Sequence, residues 1–92
     1  MCASPALAQT DPREQAQQAL GAGDADRAVT ILQQASAASP SDADLLRRRA
    51  GAQAAADDLP AARSTIDRAL QLAPEDNDIR LARARILLWS NR

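Results

Sequence analysis

The sequence has no histidine, no tyrosine and no phenylalanine, and only one tryptophan and one cysteine. It has no lysine either, so all 11 cations are arginine. Each absence closes a route. Without histidine there is no imidazole base and no ordinary zinc ligand set. Without lysine or tyrosine there is no Schiff-base amine and no phenolic acid. Nucleophile–base pairs need partners this chain does not hold. An enzyme is therefore not expected, nor is a metal or a cofactor. Cys2 has no second cysteine to pair with. No apolar run is long enough to span a bilayer, so direct membrane insertion is not expected. Valine and isoleucine are rare, which leaves little to build strands from.

What is present is alanine, arginine and aspartate. The chain has 92 residues, enough for one small domain. Its apolar fraction of 46% is swollen by alanine, the best helix former, whose small side chain lets helices approach closely. An all-α fold follows. The net charge is −1, which does not favour nucleic acid. Arg47-Arg48-Arg49 is the only run of charge; it is short, lacks interleaved aromatics and spans three helix directions. Asp44, four residues before Arg48, is placed to pair with it. The Arg/Ala/Asp bias also resembles that of a high-GC bacterial genome.

The front of the chain, "MCASPALAQTDP", reads differently. Ala6-Leu7-Ala8 fits the small-residue cleavage site of a secretory signal, although no basic or long apolar region precedes it. Residues 1–8 are expected to be a signal-peptide remnant or a disordered tail. Removal of Cys2 with a signal would leave a cysteine-free chain suited to an oxidising periplasm.

Two prolines set a period. Pro40 and Pro74 stand 34 residues apart. Ala28, Leu32 and Ala35 precede the first at the same steps as Ala62, Ile66 and Ala69 precede the second. Steps of four and three keep each trio on one helix face. The alanines permit close approach, the larger residue fills the gap, and proline stops the helix. Ala16, Ala50 and Ala84 repeat at the same interval in a preceding helix. Gly23-Asp24, Asp57-Asp58 and Asn91-Arg92 mark the turns. The pattern predicts helices over about 12–21, 24–38, 42–56, 59–72 and 76–90. Asp11, Ser41 or Asp42, and Asp76 are placed to cap them. The pairs Asp57/Asp58 and Asp76/Asp78 could serve acid–base or metal chemistry, but each lies where a helix begins, and capping is the simpler role.

This 34-residue framework resembles the tetratricopeptide repeat (TPR) family over residues 9–92. The resemblance implies antiparallel helix pairs, about two and a half units, stacked as a short right-handed solenoid. The units are 9–42, 43–76 and 77–92, the last a single helix and so truncated. The family's large residue early in the first helix is matched only by Leu46, against Pro12 and Arg80. Its following leucine is replaced by Gln15, Arg49 and Arg83. The alanine–proline framework of the second helices thus carries most of the likeness; other helical repeats also stack pairs of helices. More narrowly, "LAPEDNDIRLARARILLWSNR" resembles the TPR segments of bacterial outer-membrane β-barrel and exopolysaccharide-export proteins.

By family position, a concave groove is expected to present Arg13, Gln17, Asp44, Arg47, Asp78, Arg85, Leu88 and Trp89 to a protein or peptide partner, unless these side chains are merely exposed. The expected function is a non-catalytic interaction scaffold within an exported envelope protein, in the periplasm or at the outer membrane. The alternative is a complete cytoplasmic adaptor that homodimerises. Self-association through an exposed C-terminal helix would follow from the apolar run Ile86-Leu87-Leu88-Trp89.

Overall fold

A computed structural model describes residues 11–91. The expectations for residues 1–8, with Cys2 and the Ala6-Leu7-Ala8 site, and for Arg92 fall outside that range. Five helices are formed: α1 Pro12–Gly21, α2 Ala25–Ala38, α3 Ala43–Ala55, α4 Leu59–Leu72 and α5 Asn77–Ser90. Among the described residues there is no strand, and no helix is long and apolar enough to cross a membrane.

Every helix begins after an aspartate. Asp11, Asp24, Asp42, Asp58 and Asp76 each accept a hydrogen bond from an amide in the first turn, at 2.9 to 3.3 Å. Each such cap contributes about 1 kcal/mol, and a carboxylate also suits the positive end of the helix dipole. Asp42, not Ser41, caps α3. Because Asp24, Asp42 and Asp76 act as caps, their helices start one residue later than the periodicity predicts.

The turns inside each pair use one device twice. Gly23 and Asp57, 34 residues apart, have left-handed backbones, with φ of 80° and 67°. Their amides donate to Leu20 and Ala54, while those of Asp24 and Asp58 donate to Ala19 and Gln53 at 2.8 Å. This bond pattern closes a helix C-terminus. Asp24 and Asp58 therefore end one helix with their amide and start the next with their carboxylate. Asn91 does not repeat the device: its φ is −88° and it caps the end of α5. Between pairs, Pro40 and Pro74 occupy tight turns closed by Asp42 N–H to Ser39 O and Asp76 N–H to Ala73 O.

Packing follows the period. One core cluster joins Ala16 and Ala19 of α1, Ala28 and Leu32 of α2, and Leu45 and Ala52 of α3. The other joins Leu46, Ala50 and Ala54 of α3, Ala62, Ile66 and Ala69 of α4, and Ile79 and Ile86 of α5. Leu32, Ile66 and Ile79 are the largest side chains fully enclosed; each contributes about 1.5–3 kcal/mol by leaving water. Helix α3 serves both clusters through two faces. Ala84, at the third step of the Ala16/Ala50 series, is exposed, because among the described residues no second helix lies on its face of α5.

The polar departures find their own partners. Arg83 donates to Asp67 across α5 and α4 at 2.8 Å. Arg80 donates to the Pro74 carbonyl at 2.9 Å. Arg49 reaches Ser36 Oγ at 3.4 Å, while its Nε and Gln53 Oε1 lie buried without a partner.

The first helices form an inner row, α1 against α3 and α3 against α5. Among the described residues the backbones of α2 and α4 stand further apart and flank open clefts. An inner row in contact and an outer row held apart bend the stack, leaving α1, α3 and α5 on the concave side. The described residues extend over 52 × 27 × 18 Å.

Candidate functional site

The concave side holds a groove of about 270 Å³. Its floor is apolar: Ala16 and Leu20 from α1, Leu32 from α2, Ala54 from α3, Ala82 and Ile86 from α5. Gly51 opens it further, since a Cβ built there meets nothing within 4 Å. The rim carries Arg13, Gln17, Arg47, Arg48, Arg85 and Trp89.

One carboxylate organises three of the rim's four arginines. Arg13 Nε donates to Asp44 Oδ2 at 2.7 Å, and its Nη2 donates to Asp42 Oδ2 at 2.7 Å. Arg47 Nη2 donates to Asp44 Oδ1 at 2.8 Å, and Arg48 Nε to Asp44 Oδ2 at 3.0 Å. Asp44 thus bonds three arginines, two on its own helix and one on α1. Partial burial pushes its carboxyl up, but the hydrogen bonds from Arg13, Arg47 and Arg48 outweigh burial and hold it well below the usual carboxylate range. The Asp44 hydrogen bond likewise raises Arg13, against the lowering effect of desolvation. The arginine run does not splay fully. Arg47 and Arg48 stand three and four residues after Asp44 and converge on it, while Arg49 goes to Ser36 on α2.

Arg85 differs from its neighbours: among the described residues it has no hydrogen bond or ion pair. Trp89 stands one turn further along α5 and is 42% exposed.

Of the eight residues expected at the groove, Arg13, Gln17, Arg47, Arg85 and Trp89 line it. Asp44 does not line it but bonds the cations that do. Asp78 lies exposed in the first turn of α5, and Leu88, 68% exposed, is also outside the lining. Leu20, Arg48, Gly51, Ala54, Ala82 and Ile86 were not expected there. The period held part of the missing signal. Gln17, Gly51 and Arg85 stand at successive 34-residue steps, as do the pairs Arg48/Ala82 and Leu20/Ala54, and every one of these residues lines the groove.

A family model for the tetratricopeptide repeat matches residues 19–86. The chain belongs to the tetratricopeptide repeat family. The match runs from the end of α1 to Ile86 of α5, so it takes in both turn devices and the period-setting Pro40 and Pro74. No curated protein and no solved structure gives a match. TPR domains generally bind protein partners and are typically non-catalytic scaffolds. In this TPR chain the inner row of first helices supplies the concave surface.

Proposed function

We propose that this TPR segment is a protein-interaction scaffold whose partner occupies the groove between α1, α3 and α5. The observation that carries this is the groove's make-up: an apolar floor inside a rim of arginines and one tryptophan. Trp and Arg are the side chains on which interface energy tends to concentrate. The volume of about 270 Å³ suits one or two side chains of a bound segment better than a drug-sized ligand. The test is a random-peptide display selection on the wild-type protein and on Gly51→Leu. Leucine at position 51 projects into open space, so it plugs the groove and leaves the core alone. Enrichment on wild type and its loss on Gly51→Leu is the expected result. Pools that the plug does not change would rule the groove out.

The setting we propose is an exported bacterial envelope protein, in the periplasm or at the outer membrane. Support comes from Ala6-Leu7-Ala8 and from the terminal "RLARARILLWSNR". Fusing the natural gene's N-terminal coding region to a reporter active only after export tests it, and an inactive reporter with normal expression counts against it.

A second reading, self-association through α5, is favoured by Leu81 and Leu88, 52% and 68% exposed on that helix. Light scattering should then show a dimer that Leu88→Glu splits. A monomer at all concentrations removes this reading.

A further inference from the structure

The rim arginines differ in what they still require. Arg13, Arg47 and Arg48 each have an internal ion pair with Asp44, and Arg13 a second with Asp42. Arg85 is unpaired among the described residues and exposed. The groove lining contains four arginines and no carboxylate. Any segment that covers the groove displaces water from Arg85. A guanidinium stripped of water without a partner is costly, so the occupant must bring an acceptor.

We propose that the groove selects a protein segment carrying an aspartate or glutamate close to a large apolar side chain. The apolar group seats on Leu20 and Ala82 beside Gly51, and the carboxylate pairs with Arg85. This rests on the groove being the partner site. Arg85 offers a planar fork that a carboxylate meets with two parallel bonds. Trp89, four residues on, shields that pair from water and adds aromatic area.

The register also orients the occupant. Arg85 is one 34-residue step beyond Gly51, and Gly51 is seven residues, about two helical turns, beyond Asp44. Around Asp44 three arginines face two aspartates, so Arg85, the rim arginine without an internal partner, fixes where the carboxylate sits. A basic segment meets a lining of four arginines and no carboxylate and is disfavoured. A phosphate chain would need several free cations, and the lining offers one.

The test is a randomised 12-residue display library selected on wild type, Arg85→Gln and Arg85→Glu, with Gly51→Leu as the plugged control. Arg85 is exposed, so its variants should keep the fold, which circular dichroism verifies. Wild type should enrich Asp or Glu at a fixed spacing from Leu, Ile or Phe. A synthetic peptide of that consensus should shift the Trp89 emission to the blue and bind roughly tenfold more weakly to Arg85→Gln. The Arg85→Glu pool should exchange the acid for Arg or Lys. Enrichment that Gly51→Leu abolishes but that carries no acid overturns this proposal and leaves the groove as partner site. Equal affinity for wild type and Arg85→Gln overturns it too. Absence of any groove-dependent enrichment overturns both.

Discussion

Gly23 and Asp57 do the same backbone work with different side chains. Both are exposed, and both sit at positive φ. Glycine adopts that conformation without a Cβ clash, whereas aspartate bears some strain there. Asp57→Gly should therefore stabilise the protein by about 0.5–1 kcal/mol, and Gly23→Ala should cost about 1 kcal/mol. Urea denaturation followed by circular dichroism reads both. Asp44 gives a pH signature. Its carboxyl titrates near 3.8 when free of the fold and lower in the folded chain. The ionised form is thus favoured by folding. The stability it adds is complete above about pH 5 and is lost as pH falls through 3.8 toward the folded value. The Asp44 side chain is 40% exposed and that of Arg13 is 31% exposed, so screening keeps the effect to about 1 kcal/mol or less. Asp44→Asn should be the less stable protein at pH 7, and the gap to wild type should narrow steadily as pH falls from about 5 to 2.

At the scale of helices, the docking of α5 is the weak joint. It contributes two fully buried side chains, Ile79 and Ile86. Helix α3 contributes Leu45, Leu46, Ala50, Ala52, Gln53 and Ala54. Local opening follows such differences in burial. Amide hydrogen exchange should be faster in α5 than in α3, and Ile86→Ala should widen the gap while leaving α3 slow at low denaturant. Helix positions were legible in the sequence because aspartate, proline and the 34-residue step punctuate every boundary. The stripe Leu45/Ala52, repeated as Ile79/Ile86, was not. A lone surface helix buries a single amphipathic face. A stacked repeat buries two: Leu46, Ala50 and Ala54 toward its own second helix, Leu45 and Ala52 toward the pair before. Asp44's grip on three arginines was only partly legible. The pairing with Arg48 follows from helix spacing, but the bond to Arg13 depends on how α1 lies beside α3.

For the molecule as a whole, small cores leave little reserve. Ile66 is fully enclosed. Cutting it to alanine costs about 2–5 kcal/mol, a large part of the total a domain of this size holds. Ile66→Ala should lose much of its helical signal at 37 °C where wild type keeps it, as circular dichroism would show.

The gap between α2 and α4 has a mechanical meaning. The inner helices are in contact and resist compression, as packed interiors do. The outer ones flank open clefts, with Gln33 of α2 on one side and Arg68 or Ala61 of α4 on the other. The convex back of the stack therefore has less packing to lose than its front when the chain opens locally.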